Sequence, residues 1–404
     1  MLDFAQSALI TIASFLFVLT FVVTVHELGH FLAAKSFGVA IDRFSIGFGR
    51  AIASWVDKAG VEWRIGWAPF GGYVRFKGDE NAASVPDQSD LAAMREWIEY
   101  DEGKEAVRRY FHFKPLWQRA IVVAAGPFAN FVLASAIFAL LLGVFGEMTL
   151  PPRVSMVEQG SVAEQAGFRA GDVIKEIDGK PIKGFEEIAQ YVQLRAEQPI
   201  DFLIQRQGSL LHIVATPARK TIDHPVAGKV QVGQLGIGWP PDSEVTRVRY
   251  GPIDAVVEGV RRTGDVLSTT LFYLGRLIQG EVPADQLGGF IGIADASGKV
   301  AKQGAEGAPD GATMVLGSFV ALLSLTAVLS VSIGFMNLLP VPVLDGGHLL
   351  FYAYEAVARR PLAGRIQAAG YRVGLALLLG FMLFATWNDL NRLSVFNFLG
   401  GLFS

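Results

Sequence analysis

From Ala8 to Val25 no residue carries a charge, and then His26, Glu27 and His30 arrive together. An apolar run of this kind suits a helix that crosses a bilayer, which takes about 20 residues. On such a helix His26 and His30 share a face at the spacing that lets two imidazoles reach one zinc ion. Glu27 projects beside them, placed to take a proton from a water at that metal. In a soluble helix the same short motif is often only a solvated face. Here ionisable groups at membrane depth cost roughly 2.5 kcal/mol or more each and persist where they meet a cavity, a protein interior or a partner. A divalent cation meets that need.

Composition agrees with a lipid setting: 51% of the 404 residues are hydrophobic, and the net charge of −3 points to no nucleic-acid partner. The chain has no cysteine, so disulfides and thiolate ligands are excluded and a metal must be held by His, Asp or Glu. Met1-Leu2-Asp3-Phe4 lacks the basic start of a secretory signal, so the first apolar run reads as a retained anchor.

Two further stretches, Ala120 to Gly146 and Ala312 to Leu344, are free of charge and long enough to span. A fourth, Val373 to Asn388, is shorter and spans if Arg372 snorkels. Lys35, Arg43 and Arg50 follow the first span, Arg108, Arg109, Lys114 and Arg119 precede the second, and Arg359, Arg360, Arg365 and Arg372 separate the third and fourth. The positive-inside rule puts these flanks in the cytoplasm, and both termini and the 147–311 insert outside it. His26, His30 and Asp345 then sit at similar depth, which makes Asp345 the natural third ligand. His348, three residues on, is its rival.

Between the first two spans, Val61, Trp63, Ile65 and Trp67 alternate with other residues, Gly71-Gly72 can turn the chain, and Tyr73 to Lys77 alternates again. This predicts a β-hairpin on the membrane surface. Its edge, with Ile65, Trp67, Gly71, Gly72 and Tyr73, is a candidate to accept an extended peptide by strand addition. Residues 79–114 are polar, with Leu91, Met94 and Trp97 at helical spacing, and read as a surface helix in which His112 is interfacial. Asn130 is the one strongly polar side chain of the second span; it either bonds a neighbouring helix or lines a substrate path, and packing is the favoured role.

After Pro151-Pro152 the insert changes character. Short turns and strands through Ala170-Gly171-Asp172-Val173-Ile174 and Ile177-Asp178-Gly179, a helix over 185–195, and strands over 200–205 and 210–215 resemble a bacterial PDZ domain. Such domains add a peptide to a sheet edge, often with its terminal carboxylate in a nest of backbone N–H groups. Leu235-Gly236-Ile237-Gly238 is the candidate nest; His212 and His224 read as ordinary strand or surface residues. Residues 251–280 are amphipathic, with Val256, Val257, Val260 and Leu271 on one side, and suit the outer membrane face.

The third span ends in Asn337-Leu338-Leu339-Pro340-Val341-Pro342-Val343-Leu344-Asp345-Gly346-Gly347-His348. Two prolines break the helix there, so an extended backbone carries the Asp345 carboxylate. The Asn337 amide is placed either to hold a substrate carbonyl or to tie down the broken backbone.

With His26-Glu27-Leu28-Gly29-His30, Phe44 to Gly49, Gly71-Gly72-Tyr73-Val74, Gly126-Pro127, Asn130-Phe131 and the Asn337 to Gly346 segment in view, nearly the whole chain resembles the site-2 protease family of intramembrane zinc metalloproteases, in particular the bacterial regulator of sigma-E protease branch. The resemblance implies His26, His30 and Asp345 as zinc ligands, Glu27 as catalytic base and Asn337 as a substrate-holding residue. It also implies a hairpin lying partly in the membrane beside the site, and an inner-membrane location. Implied substrates are single-span proteins such as anti-sigma factors already trimmed by another protease, or signal-peptide remnants, with the PDZ-like domain excluding bulky ectodomains. Two features depart from the branch: well-known members carry two tandem PDZ domains and this insert has room for one, and Gly289-Phe290-Ile291-Gly292-Ile293 replaces a common Gly-Pro-Ile-Gly-Ile.

The expected architecture is an α-helical polytopic membrane protein: transmembrane helix 1 over 1–36, a cytoplasmic loop with hairpin and surface helix over 37–116, helix 2 over 117–147, and a periplasmic PDZ-like α+β domain over 148–245. An amphipathic helix and loop over 246–311, helix 3 with the LDG motif over 312–350, and helix 4 with the tail over 351–404 complete it. Its partners are the bilayer, single-span substrates, and a peptide or carboxylate ligand of the PDZ-like domain. Rival readings are a zinc hydrolase acting on a lipid substrate and a catalytically silent PDZ scaffold.

Overall fold

The computed structural model describes residues 2–78, 88–224, 228–238, 246–280, 284 and 287–392. The polar stretch 79–87 and the tail 393–404 lie outside the described residues. Two compact units form, Met1–Ala139 with Val256–Ser404, and Leu140–Ala255.

The apolar N-terminal run is a single helix, α1 (Leu2–Ser36). Strands β1 (Ile41–Val56) and β2 (Glu62–Phe76) follow, then α2 (Gln88–Asp101) and α3 (Leu116–Phe145). The chain does not reverse at Gly71-Gly72, as the alternation suggested; both glycines lie inside β2, and Gly72 pairs with Ile46. The turn is at Asp57–Gly60, where the Asp57 carboxylate accepts Ala59 N–H, Val61 N–H and the Trp63 indole N–H and Gly60 takes a left-handed φ of 86°. Gly72 serves a close approach: a Cβ there would stand 2.8 Å from Ser45 O and 3.2 Å from Glu27 Cγ. Residues 43–46 are paired twice, so that Phe44 faces both Trp63 and Val74. In α2 it is Ile98, fully buried with Val107 and Tyr110, that anchors the helix, whereas Trp97 is exposed.

Short β3 (Glu147–Thr149), β4 (Met156–Val157), α4 (Val162–Ala166), β5 (Val173–Ile177), β6 (Lys180–Pro181), α5 (Phe185–Gln193), β7 (Ile200–Arg206) and β8 (Ser209–Ala215) open the second unit. β9 (Ala218–His224), β10 (Gly228–Gln234), β11 (Ile237–Gly238) and β12 (Thr246–Val248) complete it. Its four-stranded sheet runs β6-β5-β7-β8, and alternate residues Ile200, Phe202 and Ile204 of β7 point into a core shared with Phe168, Ile174 and Ile188. The Asp172 carboxylate, 1% exposed, accepts two hydrogen bonds from Arg206, at 2.7 and 2.8 Å, and one from Arg169 N–H.

The chain returns through α6 (Pro252–Ile278), α7 (Phe290–Ala305), α8 (Gly311–Asn337), α9 (Asp345–Ala358) and α10 (Gly364–Arg392). Val256, Val257, Val260 and Leu271 lie exposed on α6. α7 occupies a stretch read as loop. Its glycine-rich start hides it from pattern reading, because its opening N–H groups, Gly289 and Gly292, are capped from α10 by Asp389 Oδ2, at 2.9 and 2.8 Å. The prolines stop α8 at Asn337 as expected, but Asp345 is the first residue of α9 and not part of an extended segment.

Among the described residues, four helices are long and apolar enough to cross a membrane: Ala5–Ser36, Leu116–Phe145, Gly311–Asn337 and Gly364–Arg392. Two of them meet at small residues. A Cβ on Gly29 of α1 would run into the Ala125 carbonyl of α3, and one on Gly126 of α3 would run into the His30 ring. This is the small-residue contact by which helices approach closely in lipid.

Two tests follow from this packing. Gly29→Ala should cost roughly 1–3 kcal/mol by forcing α1 from α3, whereas Gly264→Ala on α6, which faces open space, should be neutral or stabilising; thermal unfolding in detergent compares them. In the second unit, burial alone would raise the Asp172 carboxyl, but the Arg206 and Arg169 hydrogen bonds hold it below the ordinary carboxylate range. Its stabilising effect is therefore complete above the unfolded value near 4 and fades as pH falls through the lower folded value. Arg206→Met should strip protection from the second unit by about 3–5 kcal/mol at pH 7, and by less in acid as the pH falls through the lowered folded value, read by hydrogen exchange in the whole protein.

Candidate metal centre

α1 sets His26 and His30 one turn apart with their rings edge to face, centroids 4.8 Å apart. The loop after α8 returns Asp345 to the same point. His26 Nε2 lies 3.2 Å from His30 Nε2, and Asp345 Oδ2 lies 3.1 Å from the former and 3.5 Å from the latter. Donors about 2.0–2.1 Å from a tetrahedral zinc stand about 3.3 Å from one another, so the three atoms already define one face of such a site. Asp345 Oδ2 is buried and makes no hydrogen bond, and its near polar neighbours are the two imidazole Nε2 atoms, an arrangement that fits a cation shared among the three.

The rings are held from behind by α3. His30 Nδ1 donates to the Val122 carbonyl at 2.9 Å, and His26 Nδ1 faces Asn130 Nδ2 at 3.3 Å. Val122, Gly126 and Asn130 step along α3 one turn at a time, matching the step between His30 and His26 on α1. The sequence reading left Asn130 to helix packing. The signal that it does more was its spacing: it is the polar residue one turn beyond the glycine that His30 overlies.

His348, the rival third ligand, is elsewhere engaged. Its ring nitrogens lie 3.1 and 3.2 Å from the Tyr371 hydroxyl of α10. Among the described residues, the one group of three metal-ligating side chains is His26, His30 and Asp345.

Beside the centre opens a cavity of about 470 Å³ lined by Glu27, Tyr73, Val74, Asn337 and His348. Glu27 accepts a hydrogen bond from the Val74 backbone N–H, so the final stretch of β2 runs directly past it. Gly72 and Tyr73 belong to that stretch. The other hairpin residues do not: Ile65 is paired on both sides, with Ile46 and Ala53, the Trp67 indole covers Gly49, and Gly71 lies against Phe48. On the cavity's far wall Arg119 bonds Glu355 at 2.7 Å and stacks over Tyr352, tying the start of α3 to α9. His112, read as interfacial, also lines the cavity.

The family model of peptidase family M50 matches residues 14–381. The chain belongs to peptidase family M50. This M50 peptidase is 54% identical over 396 residues to the metalloprotease MmpA of Caulobacter vibrioides, covering 98% of this chain and 99% of the relative. It is 43% identical over 384 residues to a putative zinc metalloprotease of Rhizobium meliloti, with 95% and 97% covered. A putative zinc metalloprotease of Agrobacterium fabrum is 42% identical over 383 residues, with 95% and 96% covered. With four apolar helices of spanning length, the M50 peptidase is a multi-pass membrane metallopeptidase.

The geometry separates the two rival aspartate and histidine ligands by experiment. Asp345→Ala should lower the metal content of purified protein from one ion per chain to a small fraction, while His348→Phe should leave it unchanged, as read by atomic emission.

Proposed function

We propose that this M50 peptidase is an intramembrane zinc metalloprotease that hydrolyses peptide bonds in the transmembrane segments of single-span proteins. The observation that carries the reading is the convergence of His26 Nε2, His30 Nε2 and Asp345 Oδ2 at the edge lengths of a tetrahedral zinc site, with Glu27 adjacent, on helices long enough to span a bilayer. The names of the relatives, zinc metalloproteases, support the metal.

His26, His30 and Asp345 would hold the zinc, which when bound would supply Lewis acidity to a scissile carbonyl and acidity to a water near neutral pH. Glu27 takes the proton of the attacking water and gives it to the leaving amine, so the carboxylate ends the cycle as it began. A helical substrate hides its peptide bonds in its own hydrogen bonds and must first unwind. Gly72, Tyr73 and Val74 pair on one side with Ile46, Ser45 and Phe44, and their other side runs past Glu27, where an unwound stretch can add as a further strand. Asn337, at the end of α8 and on the same cavity, offers its amide N–H to the substrate carbonyl.

The arginine-rich flanks support a cytoplasmic side for the centre and a periplasmic side for the insert, in a bacterial inner membrane. Within the insert, the β6-β5-β7-β8 sheet with α5 packed on one core supports a PDZ-like domain over 148–245. Its role is to screen substrates by ectodomain size, admitting pre-trimmed anti-sigma-type proteins or signal-peptide remnants.

A single-span model substrate with a short ectodomain, presented in detergent or liposomes, should be cut by the wild type and not by Glu27→Gln. A chelator should abolish cutting and added zinc restore it. Cleavage by Glu27→Gln at the wild-type rate would exclude the general-base role. Hydrolysis of lipid with no peptide substrate cut would exclude the protease.

A further inference from the structure

The two histidines of the centre are held by different kinds of group. The backbone carbonyl that His30 Nδ1 meets can only accept, so Nδ1 carries a proton and, in the neutral ring, Nε2 is the free nitrogen on the Asp345 side. His26 Nδ1 meets a carboxamide, which can donate or accept. Asn130 is 0% exposed, and its Oδ1 is buried with no hydrogen-bond partner.

The carboxamide is also held firmly in place. Ser330 of α8 donates to the Asn130 backbone carbonyl at 2.9 Å. Gly334, one turn later, lets α8 lie so close that a Cβ would stand 3.0 Å from Pro127 O and 3.1 Å from Asn130 Cβ. The residue is thus wedged between α8 and the ring it faces, and its one remaining freedom is a half-turn of the amide.

We propose that Asn130 is the positioning residue of His26, a carboxamide that orients the ring and sets which of its nitrogens is free for the metal. With Nδ2 toward the ring, His26 Nδ1 accepts and Nε2 carries the proton toward Asp345, 3.1 Å away. With a cation on Nε2, the proton resides on Nδ1, and the amide turns to present Oδ1, the atom that stands without a partner. His30 needs no such step. The inference rests on the zinc reading of the site and adds to it a partner on a different helix, which makes zinc affinity depend on how α3 sits against α1.

Outer partners of ligating histidines are worth about 10–100-fold in metal affinity. Zinc affinity would be measured in detergent by competition with a chromophoric chelator for wild type, Asn130→Leu and Asn130→Asp, alongside melting of the metal-free proteins. Leucine keeps the branched heavy-atom shape and removes both polar atoms; aspartate keeps an acceptor. The expected result is a loss of about 10–100-fold for Asn130→Leu, metal-free melting like wild type, and affinity restored to near or above wild type in Asn130→Asp. Wild-type affinity in Asn130→Leu would overturn the proposal. So would Asn130→Asp binding as weakly as Asn130→Leu, or weakly at all should the leucine variant fail to fold, since either marks a packing role. A wild type that takes up no zinc would instead overturn the reading of the centre itself, and this proposal with it.

Discussion

The candidate metal centre depends on a helix crossing at small residues. Where α1 meets α3, Gly29 leaves the Ala125 carbonyl uncovered and Gly126 leaves room for the His30 ring. In lipid no hydrophobic gain drives helices together, so dispersion between close backbones and interhelical hydrogen bonds must do it. The same closeness gives each imidazole a partner on α3: the Val122 carbonyl for His30 and the Asn130 side chain for His26. Two helices in contact therefore form both the scaffold and the back wall of the candidate metal site.

Depth in the membrane makes every polar group answerable. Buried donors and acceptors that lack partners cost about 1–3 kcal/mol each, and few are left without one. Glu27 takes the Val74 N–H, His348 takes the Tyr371 hydroxyl, and Arg119 takes Glu355. The exceptions near the centre are Asp345 Oδ2 and Asn130 Oδ1. Both belong to groups that flank His26: Asp345 Oδ2 lies at Nε2, and the Asn130 carboxamide lies at Nδ1 through its Nδ2. One cation between the imidazoles and the carboxylate would account for the first directly and for the second through the proton it places on His26 Nδ1.

What could be read in the chain and what could not divide along one line. Features set by local spacing were legible: the turn between His26 and His30, the charge-free spans, and the proline break that ends α8 at Asn337. Features set by contact were not. Gly71-Gly72 looked like a turn, but Gly72 is small because β2 passes within van der Waals reach of Glu27, and the turn belongs to Asp57, whose carboxylate gathers three donors. Ile65 and Trp67 looked like an edge by alternation, yet residues 43–46 and 53 close Ile65 in on both sides. α7 looked like a loop because the cap for its first N–H groups is Asp389, 97 residues away from Gly292.

The position of the strand explains why a strand and not a helix stands beside Glu27. A peptide bond is attacked only when its carbonyl is free of helical hydrogen bonds, so the site must offer the substrate backbone something to exchange them for. Gly72, Tyr73 and Val74 are bonded along one side to residues 44–46. The other side is the one that carries Val74 N–H toward Glu27. On the proposed reading, a stretched substrate entering the cavity would meet there a free strand edge beside Glu27. Held by main-chain bonds, it is read by shape and extension more than by side-chain identity. On that reading, selectivity would come from which membrane segments unwind readily and which ectodomains reach the site, both of which are decided before the reacting carbonyl arrives.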